Sequence, residues 1–318
     1  MAWQELHFQC DKDNAELAES LLLENDALSI TFVDAGDQPL FEPMPGQSPL
    51  WDEIIITGLF PVTHLDDAND TNEIKRLDEL SLHIASQINA TRAWITPLAD
   101  TDWERVWMSH YHPIECANHL WIVPKWLEPP VSDAVNIIMD PGLAFGTGYH
   151  ATTRLCLDWL TEQNLNGNLA GKTVIDYGCG SGILGIGALL LGAKQVFAVD
   201  IDPQAVLATK QNAERNGVAD RLQAFLPDDF QQAFEKDPNV TLCDMMIANI
   251  LAKPLMTLAP YFATLCKPNA QIVLSGLIAE QLDDVRDAYA PYFDLTDDFA
   301  FAKTEDAHWH RLSGVFRD

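Results

Sequence analysis

Three glycines at every second position, Gly178, Gly180 and Gly182, form the stretch whose residue types and spacing point most directly to chemistry. An apolar run precedes them and predicts a buried parallel strand, while an apolar pattern of helical spacing begins at Ile183. Glycines at a strand-to-helix turn let the backbone approach a ligand closely. Asp176, just before the turn, adds a carboxylate to what we predict is a ligand-binding loop.

The spacing of the glycines separates two ligands. A dinucleotide loop reads Gly-x-Gly-x-x-Gly, with a helix N-terminus facing a pyrophosphate. Here the third glycine comes one residue early, and Asp176 would repel a pyrophosphate. A carboxylate instead suits a cationic amino group, such as that at the methionine end of S-adenosylmethionine.

A second carboxylate supports the same cofactor. The next predicted strand, 195–199, ends at Asp200, which lies 22 residues after Gly178. An acidic side chain at this point can accept hydrogen bonds from both hydroxyls of a ribose. Asp202 precedes Pro203 and is expected to cap the following helix. We therefore predict an S-adenosylmethionine site formed by Asp176, Gly178, Gly180 and Asp200.

Composition limits the class of protein and its partners. The chain has 318 residues, enough for two domains, and a net charge of −28. Such a charge disfavours nucleic acid and favours a basic partner; the alternative is that it serves solubility or adaptation to salt or cold. The six cysteines include no Cys-x-x-Cys pair, which argues against a zinc site and fits reduced thiols in a cytoplasm, and we expect no metal. The longest apolar run, 183–193, is too short for a bilayer, and the N-terminus lacks signal-peptide features, so we expect a cytoplasmic protein without membrane contact.

The apolar periodicity predicts an α/β protein with two domains. Residues 1–98 alternate in the order β-α-β-β-α-β, the pattern of a ferredoxin-like α+β domain. A connector follows at 99–145, rich in Trp, Pro and His. Residues 146–318 alternate helices with strands and predict a doubly wound parallel sheet, with the last two strands forming an antiparallel hairpin on its edge.

The loop at 140–153 leads from the connector to the first helix of the second domain. Its sequence allows two interpretations. It is either a flexible hinge with Thr152 or Thr153 as helix cap, or a loop that closes over the methionine end of the cofactor. His150 is expected to form hydrogen bonds rather than act as a base.

The fourth predicted strand of this domain ends at Asn249, at the sheet edge where ligands bind. Many amino-directed methyltransferases carry Asn or Asp here, followed by Pro-Pro and an aromatic residue, and use the Asn oxygen to orient the attacking nitrogen. This chain has Ala252 in the aromatic position. The missing stacking platform disfavours glutamine or adenine as acceptor and leaves a tetrahedral amine. The alternative is that Asn249 is a turn residue.

Several motifs outside the glycine loop are equally specific. They are Asp-Trp-Glu-Arg-Val-Trp at 102–107, Leu-Trp-Ile-Val-Pro at 120–124, Phe-Gly-Thr-Gly at 145–148 followed by His150, Thr152 and Thr153, and Asn-Ile-Leu-Ala at 249–252. With these motifs the chain resembles the bacterial ribosomal protein L11 methyltransferases, a class I S-adenosylmethionine-dependent family, over essentially its whole length. Tyr149 and Ala151 depart from the residues that many members have there (Thr or His, and Pro).

The resemblance implies an N-terminal domain that grips a substrate protein and a C-terminal methyltransferase domain. It implies transfer of methyl groups to the N-terminal α-amine and lysine ε-amines of basic ribosomal protein L11. Carried over by position, the cofactor contacts would be Thr153, Gly178, Asp200 and Asn249, with Asn249 also catalytic. The alternatives are a methyltransferase of another basic protein or a small molecule, and a non-catalytic binding protein.

The N-terminal domain carries the strongest charge imbalance. Residues 1–100 hold 4 Lys and Arg against 19 Asp and Glu. We expect an acidic face to dock the basic substrate and the connector to let the domain swing; the face consists of Asp66, Asp67, Asp70, Glu73, Asp78 and Glu79. Nothing in the sequence calls for a dimer, and we expect a monomer.

Overall fold

The computed structural model describes residues 2–36, 38, 49–62, 70–98, 111–117, 120–140, 146–300 and 309–317. The chain divides into two compact units, Met1–Ser109 and His110–Asp318. The 102–107 motif, residues 141–145 of the loop, and Asp66 and Asp67 lie outside the described residues. Among those that are described, no helix is both long enough and apolar enough to cross a bilayer.

The first unit is a four-stranded antiparallel sheet with two helices. Its elements in chain order are β1 (Ala2–Asp11), α1 (Ala15–Glu24), β2 (Ser29–Asp34), β3 (Glu53–Val62), α2 (Asp70–Gln87) and β4 (Arg92–Leu98). The strands lie in the order β2-β3-β1-β4, all antiparallel. This is the β-α-β-β-α-β succession that the periodicity predicts.

Alternation along these strands decides which face is packed. Leu6 and Phe8 of β1, with Ile54 and Ile56 of β3, are fully buried among apolar residues of both helices. Successive side chains of a strand point to opposite faces. His7, between two buried residues, therefore lies on the other face, where it is only partly buried.

The second unit contains the large sheet. Its helices and strands from residue 151 onward are α3 (Ala151–Leu165), β8 (Thr173–Tyr177), α4 (Ile183–Leu190), β9 (Gln195–Val199), α5 (Pro203–Arg215), β10 (Leu222–Phe225), α6 (Pro227–Lys236), β11 (Cys243–Asn249), α7 (Ala252–Leu265), β12 (Cys266–Ile278), α8 (Leu282–Tyr289), β13 (Phe293–Ala300) and β14 (Trp309–Phe316). The strand order is β10-β9-β8-β11-β12-β14-β13. The first five strands are parallel, and β14 and β13 pair antiparallel at the edge. The predicted doubly wound sheet and its terminal hairpin are confirmed.

Helices cover the parallel strands on both faces. Apolar residues of α3, α4 and α5 form one core with the sheet, and those of α6, α7 and α8 form the other. Along β8, Val174 faces the first core and Ile175 the second, and all five residues of the strand are buried. Because both faces are covered, the strands read as nearly continuous apolar runs.

The predicted connector contributes structure that its composition did not indicate. A small sheet forms from β5 (Ile114–Glu115), β6 (Leu120–Pro124) and β7 (Val135–Met139). Ile122 and Ile137 of this sheet are fully buried in the same core as Leu157 and Ile183. Over β6 and β7 the connector is therefore an integral part of the second unit, because its apolar side chains belong to this core and β7 packs against α4 and α5.

Candidate active site

A cleft of roughly 550 Å³ opens at the carboxyl edge of the large sheet. Its lining residues come from the ends of successive strands and from the starts of two helices: His150, Thr152, Tyr177, Gly178, Gly180, Asp200, Ile201, Asn249, Ile250, Leu251, Pro254, Leu258, Gly276 and Trp309. Ligands of doubly wound sheets bind at this edge. Four of the predicted site residues, Gly178, Gly180, Asp200 and Asn249, meet here.

The glycine loop forms the floor of the cleft. Gly178 has a φ of +80°, and a Cβ added to it would lie 2.2 Å from Cγ2 of Ile250. Any larger residue would therefore be strained and would also collide with the loop that follows β11. Backbone amides of Gly178 and Cys179 donate to the carbonyl of Val199 at 2.7 and 3.1 Å, which ties the loop to the end of β9.

Asp200 holds the loop and also faces the cleft. Its Oδ2 accepts a hydrogen bond from the amide of Gly180 at 2.8 Å, and its Oδ1 accepts one from the amide of Asp202 at 3.0 Å. A carboxylate oxygen can accept two hydrogen bonds, so each oxygen keeps capacity for a ligand hydroxyl. Asp202 caps α5 through the amide of Gln204 at 2.9 Å, as its position before Pro203 predicted.

Asp176 lies behind the loop rather than in the cleft. It is fully buried, and its Oδ2 accepts a hydrogen bond from the amide of Gly185 at 2.8 Å. Its Oδ1 has no partner among the described residues. Burial, with the charge of Asp200 adding to it, raises the pKa of this carboxyl to about 7. Among the described residues, Asp176 therefore orders the start of α4 through Gly185.

The start of α3 differs in detail from the sequence-based expectation. The helix begins at Ala151 and its N-cap is His150, whose Nδ1 accepts from the amide of Thr152 at 3.4 Å. Neither threonine is thus the cap, because both lie inside the first turn. Both threonines are buried, but Thr152 lines the cleft, whereas Thr153 does not appear among the described lining residues. His150 forms hydrogen bonds, as expected.

Asn249 is the last residue of β11 and lies opposite Ser275 of β12. A methyl group at the neighbouring Gly276 would come within 3.4 Å of Asn249 Oδ1, which places the amide oxygen beside Gly276 of β12. The pairing of β12 with β14 shifts register between Ser275 and Leu277. Gly276, next to Asn249, is the residue without a strand partner at this shift.

Trp309 is a lining residue that sequence reasoning missed. It begins β14, pairs with Ile278 and packs edge-on against His150, with ring centroids 4.8 Å apart. Ala252, in contrast, is buried at the start of α7 and lies outside the described lining. The cleft therefore has an aromatic wall, but it comes from the antiparallel tail strand. No local motif marks this residue; only the strand order brings it to the cleft.

The cleft is elongated along the edge of the sheet. Asp200 lies at β9 and Trp309 at β14, with β8, β11 and β12 between them. Neighbouring strands are about 4.8 Å apart, so these two ends are roughly 20 Å apart. Ile201 and Leu251 at the mouth are 82% and 55% exposed. The cleft thus has a polar end at Asp200, an asparagine in the middle, and apolar walls.

A cleft with these features fits a ligand that contains a nucleoside and has its reacting centre next to it. The sheet has seven strands in the order given above. The glycine loop follows β8 and the carboxylate of Asp200 follows β9, so both lie at the carboxyl edge of the sheet. Together they define a class I S-adenosylmethionine-dependent methyltransferase.

Comparison with known proteins identifies the family. A sequence model of the family described as ribosomal protein L11 methyltransferase (PrmA) matches residues 2–316. The chain belongs to this family. It is similar to the ribosomal protein L11 methyltransferases of Psychrobacter sp. (strain PRwf-1), at 64% identity over 99% of both chains, and of Acinetobacter baylyi, at 48% over 99% of this chain and 98% of that one.

A solved structure agrees with this assignment. The crystal structure of ribosomal protein L11 methylase from Lactobacillus delbrueckii subsp. bulgaricus is 33% identical, with a TM-score of 0.53, and the match covers 65% of this chain and 100% of that one. The predicted family, the methyltransferase activity and S-adenosylmethionine as methyl donor are thereby confirmed.

Proposed function

We propose that this protein transfers methyl groups from S-adenosylmethionine to the N-terminal α-amine and to lysine ε-amines of ribosomal protein L11. The observation that carries the proposal is the end-to-end match, which includes the N-terminal unit, to relatives named for L11 methylation. A shared methyltransferase domain alone would support only the donor. A shared additional domain supports a shared substrate, since the described residues that line the cleft all belong to the other unit.

The residues at the polar end of the cleft fit the cofactor. Asp200 retains acceptor capacity for the two ribose hydroxyls, and the cradle at Gly178 has no space for a side chain. Thr152, and Thr153 as the resemblance implies, would lie at the methionine end together with Gly180. When bound, the cofactor supplies a sulfonium-activated methyl group.

The protein's own contribution is to hold an uncharged amine in line with that methyl group. Free α-amines have pKa values of about 8 and lysines about 10.4, so both are mostly protonated in neutral water. Apolar walls lower the pKa of an amine, and Ile250, Leu251 and Trp309 provide such walls beside Asn249. Asn249 Oδ1 would then accept a hydrogen bond from the amine and orient it, and water removes the proton. Correct placement of this kind is worth several orders of magnitude in rate.

We place the acceptor at the end of the cleft formed by Gly276 and Trp309. Asp200 occupies the opposite end, so a ribose bound there directs the rest of the cofactor towards Asn249. A lysine stem is aliphatic and would gain from contact with the Trp309 ring. The aromatic wall suits an alkyl amine and does not require the stacking of a planar amide.

The N-terminal unit is proposed to recognise the substrate by charge. Asp78 and Glu79 of α2 are exposed, and the unit's acidic excess would attract a basic protein over a distance comparable to the Debye length. Asp70 and Glu73 begin the same helix. Methylation at several sites requires different amines of the substrate to enter the cleft in turn. Recognition of the substrate protein would therefore use residues outside the cleft.

The proposal is tested by mass spectrometry of ribosomal protein L11 purified from a strain lacking the enzyme. After incubation with this protein and S-adenosylmethionine, we expect mass gains in steps of one methyl group, mapped to the N-terminus and to lysines. The Asn249→Ala variant serves as the control for a contaminating enzyme. If L11 gains no mass while the protein still binds the cofactor, the acceptor assignment is wrong and other basic proteins become the candidates.

A further inference from the structure

The side chain of Tyr149 joins two segments of the second unit that are distant in sequence. Its hydroxyl donates to the carbonyl of His112 at 2.5 Å and accepts from the amide of the same residue at 2.6 Å. Burial raises the pKa of this hydroxyl, so it keeps its proton and can donate at neutral pH. One phenol thus satisfies both backbone groups of one residue.

Ring contacts reinforce this junction. The ring of Tyr111 packs edge-on against Tyr149, with centroids 4.9 Å apart and planes at 87°. Tyr111 in turn packs edge-on against Trp126 at 6.2 Å. Such aromatic pairs contribute beyond their buried area. The tyrosine is therefore held by its ring as well as by its hydroxyl.

Tyr149 lies within a short segment that leads into the cleft. At the preceding position, Gly148 has a φ of +89°, and a Cβ there would lie 2.4 Å from Ile122 and 2.9 Å from Ile183. Two residues earlier, the carbonyl of Gly146 accepts a hydrogen bond from the hydroxyl of Ser181 in the glycine loop at 2.6 Å. The segment 146–150 is thus tied to the glycine loop, to β6 and, through Tyr149, to His112.

The next residues of the chain form the cleft wall. His150 caps α3 and contacts Trp309, and Thr152 follows in the first helical turn. A displacement at Tyr149 is transmitted directly to these side chains, since one peptide unit separates Tyr149 from His150. Without the clamp, ordering this wall would have to be driven by ligand binding, which lowers affinity.

We propose that Tyr149 is a positioning residue that preorganises the cleft wall at His150 and Thr152, the latter at the proposed methionine end, by clamping segment 146–150 to the backbone of His112. The nature of the ligand rests on the proposed function, whereas the clamp itself rests on the hydrogen bonds above.

The test compares Tyr149→Phe and Tyr149→Leu with Tyr292→Phe in the full-length protein. Tyr292 supplies a matched loss of a phenolic hydroxyl within the same unit and outside the cleft lining among the described residues. Binding of S-adenosylhomocysteine is measured by titration calorimetry, with kcat and the KM for S-adenosylmethionine as second readouts. Calorimetry needs no acceptor protein, so an error in the acceptor assignment leaves it unaffected.

We expect Tyr149→Phe to weaken S-adenosylhomocysteine binding about 3- to 10-fold, the effect of losing ordinary hydrogen bonds. The KM for the cofactor should rise by a similar factor. The value of kcat at saturation should stay within about 2-fold, because the lost binding energy contributes equally to the ground state and the transition state. Tyr149→Leu should weaken binding at least as much, and Tyr292→Phe should not weaken it. An affinity of Tyr149→Phe equal to that of the wild type would overturn the proposal, whether or not the melting temperature falls.

Discussion

The two sheets of this protein differ in what covers them. Strands of the N-terminal sheet bury one face, so that His7 on the other face finds a polar partner in Thr57 of the neighbouring strand, at 2.9 Å. Strands of the C-terminal sheet are covered on both faces, and Asp176 within β8 is fully buried with one oxygen unpartnered among the described residues. A sheet covered twice offers ligands only its edge.

Because of this difference, we expect the two units to have different functions. In the C-terminal unit, binding groups are confined to strand ends, where backbone and side chains from several strands converge in one cleft. The N-terminal unit carries an excess of acidic residues, and we propose that it recognises the substrate protein by charge. We therefore expect substitutions at the C-terminal edge to change turnover or stability, and substitutions on the N-terminal surface to change substrate KM.

The largest effect is expected at the strand end. Asn249→Ala should lower kcat about 100-fold or more, because the amine is no longer oriented, while affinity for S-adenosylhomocysteine changes less than about 3-fold. Initial rates with L11 and calorimetry measure the two quantities. If turnover is unchanged, Asn249 has no part in the mechanism and is a turn residue at the end of β11.

A smaller effect is expected inside the doubly covered sheet. With the pKa of Asp176 raised to about 7, the native state holds a proton that the unfolded chain has released above pH 4. The free energy of unfolding should therefore fall as the pH rises from about 4 to 7, by about 2 kcal/mol between pH 5 and pH 7. The Asp176→Asn variant has no carboxyl to titrate at this position, so its free energy of unfolding should not show this decrease.

Urea unfolding of both proteins at pH 5, 6, 7 and 8 checks this expectation, with the exposed Asp202→Asn as control. The difference between the wild type and Asp176→Asn should change with pH, and that between the wild type and Asp202→Asn should change much less. A difference for Asp176→Asn that stays constant across the series would show that the carboxyl does not titrate in this range.

The smallest effect is expected on the N-terminal surface. Reversing the charges of Asp78 and Glu79 to lysine should raise the KM for L11 about 3- to 10-fold and weaken its dependence on salt, with kcat unchanged. The control, Asp284→Lys with Asp287→Lys, makes the same change in net charge on exposed residues of α8 in the other unit. An equal rise in KM for both pairs would attribute the effect to net charge alone, and no rise would exclude α2 as the docking face.

Much of the cleft could be predicted because the relevant residues follow strands in the sequence. Gly178, Gly180, Asp200 and Asn249 each stand at or just after the end of a recognisable apolar run, and parallel strands bring such ends together. Trp309 could not be predicted in this way, since it begins an antiparallel strand whose place beside β12 is a long-range pairing. The connector strands were missed for a similar reason, because β7 packs against α4 and α5, which come much later in the chain.

The order of the elements, the cofactor class and the family follow from the sequence, because periodicity and short motifs are local properties of the chain. The three-dimensional packing was needed to show that Asp176 lies behind the glycine loop, that Thr152 and not Thr153 is among the described lining residues of the cleft, and that Tyr149 reaches His112. These outcomes depend on which face of a covered strand or helix turn a side chain occupies. That choice is made by packing between distant segments, which leaves no mark on the residues nearby.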